Sequence, residues 1–249
     1  MTKKKKIKFG IIVLLILFKI PSLAQEAKQS AFEFSYNYQI PIGKLSERYG
    51  NNSAVGISYF SEKSNNLVYG IEASFMFGST LNDSNIFNNI STSTGAIIGG
   101  DGYYANVNLM QRGWNTFIFG GYAFHFSNKN LSGIYITQGI GFLEHKIFID
   151  TRNQNIPQLN EEMKKGYDKL TNGYSGKFNV AYKYYDQNGR FQINTNLNYL
   201  FAYTKNQRTY DFNNELYYPK ERKWDNLFGI SIGIIIPVNR KNNEEFHYF

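Results

Sequence analysis

The chain has 249 residues, no cysteine and a formal net charge of +8 at pH 7. Without cysteine it can form no disulfide. Six of its 27 basic side chains lie in the first 24 residues, which hold no acidic one, so the remaining 225 residues carry 21 basic against 19 acidic side chains. The basic balance of the whole chain therefore does not indicate nucleic-acid binding.

The first 24 residues have the layout of a secretory signal peptide. Lysines precede an apolar stretch from Phe9 to Phe18, and Ser22-Leu23-Ala24 supplies small residues before a cut after Ala24. The apolar stretch is shorter than the roughly 20 residues of a transmembrane helix. We predict a cleaved signal peptide over 1–24, with an uncleaved N-terminal anchor as the alternative.

Beyond residue 24, apolar or aromatic residues alternate with polar ones in many segments, which is the period of a β-strand. In RFQINTNLNYLFAYT, residues 190–204, Phe, Ile, Leu and Tyr share one face, and Gln and Asn share the other. The pattern predicts eight strands, at about 31–40, 54–61, 67–78, 104–126, 133–149, 175–185, 190–205 and 225–238.

The segment 104–126 has two interpretations. It is either one long strand or two strands that turn at Arg112-Gly113, and the second reading leads towards a ten-stranded barrel. We favour one strand with a bulge at Gly120-Gly121, because the apolar parity there shifts from Phe117 and Phe119 to the next aromatic residues.

The connections between the predicted strands alternate in length. Short turns at 62–66, 127–132 and 186–189 alternate with long polar stretches near 41–53, 79–103, 150–174 and 206–224. This alternation is typical of an antiparallel up-and-down transmembrane β-barrel, with short turns in the periplasm and long extracellular loops. The fold class is therefore all-β. Each strand taken alone is also compatible with a water-soluble β-sandwich, which is the alternative.

The polar face of the predicted strands is rich in amides and small residues, which suit a narrow lumen that side chains fill. A few charges lie on the same face, and opposite signs could pair there because a lone buried charge is costly. The predicted polar and charged lumen residues are Glu33, Glu72, Lys177, Lys183, Asn194 and Asn196.

Two of the long loops carry apolar residues among charges. In the third loop, NEEMKKGYDKL (160–170) predicts a short helix with Asn160 as its N-cap. Its apolar side and the aromatic residues of the fourth loop either pack on the barrel rim or form a docking surface. The candidate partner contacts are Met163, Tyr167, Leu170, Tyr210, Phe212, Tyr217 and Tyr218.

The sequence holds little that indicates chemistry. None of the three histidines, His125, His145 and His247, forms a metal-binding pattern, and there is no glycine-rich phosphate loop. HFSN (125–128) is similar to the His-x-Ser of barrel lipases that deacylate lipopolysaccharide, but the acidic residue expected about a dozen positions later is missing. We predict no catalytic, metal or cofactor residue, and a lipid A-modifying enzyme is the least favoured function.

The start of the exported chain after SLAQ, the segment YQIPIGKLSERYG and the closing EEFHYF resemble the small outer-membrane β-barrel proteins of the Bacteroidota. The resemblance implies a barrel over 25–238 and a periplasmic tail over 239–249. It implies an outer-membrane location, with membrane lipid, lipopolysaccharide, the barrel assembly machinery and other envelope proteins as partners. The expected function is a non-enzymatic interaction or structural role, or alternatively an accessory role in a secretion or assembly complex.

Overall fold

The structure is a computed structural model that describes residues 27–83, 86–127, 130–186, 192–219 and 221–239. Every long strand pairs antiparallel with its chain neighbours, and the last strand pairs with the first, which closes the sheet. The predicted antiparallel up-and-down β-barrel is confirmed. The eight strands of the barrel are β1 Ala27–Ile42, β2 Asn52–Lys63, β3 Leu67–Gly78, β4 Asn108–Ser127, β5 Asn130–Asp150, β6 Thr171–Tyr185, β7 Gln192–Asn206 and β8 Lys223–Asn239.

The connections follow the predicted alternation, so the barrel has a loop end and a turn end. Two small hairpins stand in the long loops, Ile97–Ile98 with Tyr104–Ala105 and Tyr210–Asp211 with Leu216–Tyr217. Within the described ranges, no helix has the length and hydropathy needed to cross a bilayer. The predicted signal peptide lies outside the described residues, as does the predicted tail beyond Asn239.

The long strand β4 corrects one prediction. It pairs with β5 without interruption through Gly120 and Gly121, and the register shifts only near the turn, between His125 and Ser127. Phe117 and Phe119 point into the barrel, where Phe117 is buried. The predicted parity shift at the glycine pair is therefore wrong, because the two phenylalanines are interior residues of a regular strand.

The two faces of the barrel wall differ sharply in polarity. Large apolar side chains point outward along every strand and stay exposed, such as Ile118 at 68%, Ile140 at 76% and Ile234 at 63%. An apolar surface of this extent on a soluble protein would be an aggregation hazard, whereas lipid covers it without cost. Closure also leaves no unpaired strand edge, which hydrocarbon would not tolerate.

The interior is layered along the barrel axis. An apolar cluster at the turn end contains Phe60, Tyr135 and Tyr185, and a larger one at the loop end includes residues of the long loops such as Leu45 and Ile156. Between them lies a polar chamber with Glu33, Glu72 and many amides on its wall.

The substitution Ile232→Lys tests the lipid-facing surface. Ile232 is 58% exposed and lies between Tyr36 of β1 and Thr195 of β7. A lysine in the hydrocarbon region should lower the free energy of unfolding by about 2–4 kcal/mol, measured by urea unfolding in lipid vesicles. The matched control is Leu216→Lys, because Leu216 is 64% exposed on a loop hairpin and its replacement should have little effect. Equal effects of the two substitutions would contradict the membrane assignment.

Candidate functional site

The polar chamber contains a buried ion pair next to a buried amide. Lys183 Nζ lies 3.1 Å from Glu33 Oε2, and Asn194 Nδ2 donates to the other carboxylate oxygen at 2.5 Å. The ammonium group also lies 3.5 Å from the ring centroid of Phe60. All three polar side chains are nearly inaccessible, so the pairing offsets the cost of burying two charges.

A second ion pair crosses the same chamber. Lys177 Nζ donates to Glu72 Oε1 at 2.5 Å and lies 5.6 Å from the ring centroid of Phe117. Asn196 accepts a hydrogen bond from Asn198. The structure thus places all six predicted lumen residues on the chamber wall and joins its four charged ones into two pairs.

Glycines make room for the inward aromatic rings. A Cβ atom at Gly141 would clash with the Thr116 carbonyl oxygen and lie 2.7 Å from Phe117, and one at Gly70 would clash with the Tyr59 carbonyl oxygen and lie 2.7 Å from Phe119. Each ring therefore covers a glycine on the neighbouring strand. The space left in the chamber is about 60 Å³ for the centre of a water molecule, which accommodates only a few waters. The barrel is filled by its own side chains.

Breaking one interior pair tests this arrangement. Lys183→Met removes the cation and leaves Glu33 buried, so the free energy of unfolding should fall by about 3–5 kcal/mol. The double variant with Glu33→Gln should recover part of that loss, because no uncompensated charge remains. Lys164→Met, which removes a cation from an exposed pair with Glu161, should leave stability unchanged. A double variant less stable than the single one would argue against a compensated pair.

The turn end of the barrel holds a buried glutamate with several donors. Glu62 accepts from Tyr135 Oη at 2.9 Å, and His125 Nε2 lies 2.7 Å from its other oxygen. His125 Nδ1 lies 3.0 Å from the carbonyl oxygen of Leu131. Both ring nitrogens of His125 therefore face oxygen atoms of this cluster, which fixes the ring as a structural element of the strand end.

The loop end holds a second buried histidine that the sequence did not indicate as paired. His145 Nε2 lies 3.1 Å from Asp225 Oδ2, and Thr204 Oγ1 donates to the same oxygen at 2.6 Å. The other ring nitrogen lies 3.4 Å from Tyr49 Oη. Burial raises the pKa of Tyr49 to about 12, although Arg48 opposes the shift, so the phenol stays protonated at neutral pH.

The third and fourth loops pack against each other above the barrel. Tyr167 is 3% exposed, and its ring contacts Phe87 and Phe212. Arg208 donates two hydrogen bonds to Asp168, at 2.8 and 2.5 Å, and this contact raises the pKa of Arg208 above its usual value. We call this surface the crown, defined as residues 43–51, 79–107, 151–170 and 207–222 as far as the structure describes them.

The predicted helix of the third loop is reduced to two short 3₁₀ turns, Pro157–Leu159 and Met163–Gly166. The side chain of Asn160 accepts from the backbone N–H groups of Glu162 and Met163, but the N-cap residue of the second turn is Glu162 and not the predicted Asn160. The segment ends at Lys169, whose φ of 49° lies in the left-handed region. A helix of this length could not present a separate apolar side.

The seven candidate partner contacts differ in accessibility. Tyr167 is buried, so the expectation that it contacts a partner is wrong. Leu170, Tyr210, Phe212 and Tyr218 are half-buried between the loops. Only Met163 and Tyr217 of this set are exposed, at 43% and 76%. Packing on the barrel rim, the alternative interpretation, therefore describes most of the set.

Gly166→Ala tests whether the two loops are joined. A Cβ atom at Gly166 would clash with the ring of Phe212, so we expect the substitution to separate the loops and speed their cleavage in limited proteolysis. Gly120→Ala is the matched control, because the nearest atom to its Cβ would be 3.8 Å away, and cleavage should not change. Unaltered cleavage of the Gly166 variant would show that the contact does not hold the loops.

Together these features define a membrane-spanning β-barrel with a filled interior and a structured crown. Among the described residues, no group of three or more potential ligands is placed to hold a metal ion. No protein-family model and no curated protein matches the chain.

Solved structures of small outer-membrane proteins do match, at low identity. Ail, the attachment invasion locus protein of Yersinia pestis solved with the heparin analogue sucrose octasulfate, is 11% identical with a TM-score of 0.39, covering 84% of this chain and 98% of Ail. Neisserial surface protein A is 10% identical with a TM-score of 0.44, covering 85% and 99%. A major outer membrane protein of Thermus thermophilus is 9% identical with a TM-score of 0.40, covering 83% and 99%. Likeness at this level carries no argument about function.

Proposed function

We propose that the protein is a non-enzymatic barrel of the bacterial outer membrane whose crown contacts other molecules of the envelope or cell surface. The observation that carries this proposal is the filled interior, which leaves the crown as the larger accessible polar region among the residues that the structure describes. Large side chains stand exposed there, among them Tyr103 and Tyr217 at 76%, Tyr104 at 72% and Leu216 at 64%. Such grouped aromatic residues are typical of contact surfaces.

The location follows from the same architecture. A closed barrel with an apolar exterior, short turns and long loops is typical of outer-membrane proteins. A signal peptide over 1–24 would direct export, and the barrel assembly machinery would insert the chain. The relation to the Bacteroidota stays a prediction.

The contacts of the two described histidines support a non-enzymatic role. His125 faces Glu62 and the Leu131 carbonyl, and His145 is buried against Asp225. General-base catalysis needs a ring within reach of a substrate proton. Both rings are instead held in internal contacts of the barrel wall.

The lack of native cysteine allows a clean test of orientation. Tyr217→Cys should react with a membrane-impermeant maleimide in intact cells, because Tyr217 lies on the crown. Ser64→Cys, in the turn between β2 and β3, should react only after the outer membrane is permeabilised. Labelling by gel shift gives the readout, and fractionation of the same cells gives the location. The reverse labelling pattern, or recovery in the soluble fraction, would overturn the proposal.

Crosslinking then tests the interaction role. A photoreactive residue at position 217 or 104 should capture envelope or surface molecules, whereas one at position 64 should not capture the same species. One protein captured in near-stoichiometric amount would favour the accessory-subunit alternative. Equal capture from both ends would contradict a role of the crown.

A further inference from the structure

Four cations stand on the outer face of the barrel at its loop end. Arg112 and Lys146 are direct partners on β4 and β5, and Lys205 lies on β7. Arg222 is exposed immediately before β8, with its guanidinium carbon 5.5 Å from the ring centroid of Tyr203. We call these four residues the basic rim.

Three of the four residues of the basic rim lie directly beyond large aromatic side chains that point into the membrane. Arg112 precedes Trp114 by two residues, and Arg222 precedes Trp224 by two. Lys205 follows Tyr203, whose ring lies 5.0 Å from that of Trp224. Because residues two apart share a face of the strand, Arg112, Lys205 and Arg222 each continue the outward row of an aromatic residue towards the loops. Lys146 instead lies between Glu144 and the exposed Phe148 on β5, and the guanidinium carbon of Arg112 lies 5.7 Å from the centroid of the Phe148 ring. Tryptophan and tyrosine prefer the boundary between hydrocarbon and headgroups.

The length of the outward row on β4 places this boundary. Outward residues run from Trp114 at the loop end to Phe126 at the turn end, both exposed. Twelve residue steps at about 3.3 Å, with a strand tilt of about 40°, span roughly 30 Å, the thickness of the hydrocarbon core. Arg112 and its partner Lys146 therefore lie just outside the hydrocarbon, at the level of lipid headgroups.

No ion pair with a described acidic side chain neutralises the basic rim. Glu144 shares the outer face, but its two oxygens accept from Trp114 Nε1 and Asn172 Nδ2 at 3.1 Å each. Asp150 lies four residues beyond Lys146 and accepts from the backbone of Arg152. The guanidinium of Arg112 donates to the Gln111 carbonyl oxygen and the Met110 sulfur, and that of Arg222 donates to the Tyr203 carbonyl oxygen. Glu161 of the third loop also interacts electrostatically with Lys146. The hydrogen-bond partners of the two arginines are neutral, so the positive charge of the basic rim still attracts an external anion.

The opposite sector of the wall lacks this feature. The outward residues in the loop-end halves of β1, β2 and β3 are uncharged, and Tyr36 and Tyr38 there bond to Ser53 and Asn51. Lys44 lies past the end of β1, in the first loop. The positive charge is therefore concentrated on the sector from β4 to β8.

We propose that the basic rim binds the phosphate groups of anionic lipid headgroups in the membrane leaflet next to the crown. The inference rests on the proposed orientation, which makes this leaflet the outer one. Guanidinium groups bind phosphate through two parallel hydrogen bonds, and the lysines add point charges. The aromatic rings below fix the depth at which a bound headgroup meets the cations.

Native mass spectrometry of the detergent-solubilised full chain tests the proposal. The probes are diphosphorylated lipid A and the same lipid after removal of both phosphates. The wild type should bind the phosphorylated form at least about tenfold more tightly, and the paired variants Arg112→Gln/Lys146→Gln and Lys205→Gln/Arg222→Gln should each lose about tenfold. Arg152→Gln, which removes an exposed cation from the crown, should not alter binding.

Equal binding of the two lipids, or equal losses in the control variant, would overturn the proposal. Displacement of the lipid by millimolar inorganic phosphate would instead indicate a site for free phosphate and would also overturn it. Heat-dependent mobility in gel electrophoresis verifies that each variant is folded. The lipid assay uses purified protein and tests only the basic rim. A negative result there would leave the cysteine-labelling test, which decides the location and orientation, unaffected.

Discussion

The constraint on which the structure depends is that hydrocarbon offers no hydrogen-bonding partner to the backbone. Every strand must pair on both sides, so the last strand must meet the first. With eight strands, closure leaves an interior that side chains fill. Alternation then sends every second residue into this confined space. The inward positions are apolar near the two ends, whereas amides, glycines and paired charges line the chamber between them. The ion pairs and the packing of phenylalanine rings over glycines are consequences of closure.

A filled interior moves the accessible chemistry to the ends and the outer face. At the loop end the long connections fold over the barrel, with Leu45 and Ile156 in a common apolar cluster. Tyr167 and Phe212 join the third loop to the fourth, so the crown is one packed layer. At the turn end the Glu62 cluster ties β2 to β4 and β5. The two ends therefore differ: the loop end carries the large folded surface of the crown, whereas the turn end is closed by short turns and the Glu62 cluster.

The outer face is also more than a uniform apolar band. Trp114 combines a ring that suits the membrane boundary with an N–H group that binds Glu144, so this acidic side chain beside the basic rim is already engaged. At the loop end, the outer face carries the positive charge of the basic rim on the sector from β4 to β8. The outward residues on the sector from β1 to β3 are uncharged. If the basic rim binds lipid phosphate as we propose, this asymmetry gives the barrel a preferred side towards anionic lipid.

The local pattern of the sequence was sufficient for the strands, their order along the chain and the identity of the lumen face, because a period of two and the turn lengths are properties of neighbouring residues. It also indicated that Asn160 stands at the start of the turn in the third loop, where its side chain bonds to the backbone. The local pattern failed for residues whose contacts in space are distant in the sequence. Phe117 and Phe119 were predicted to face lipid, because the glycines that accommodate their rings lie on other strands. Tyr167 looked exposed because Phe87 and Phe212 belong to other loops. The contact between His145 and Asp225 joins residues 80 positions apart. Only closure of the barrel brings such residues together, so these contacts were decided by the tertiary structure.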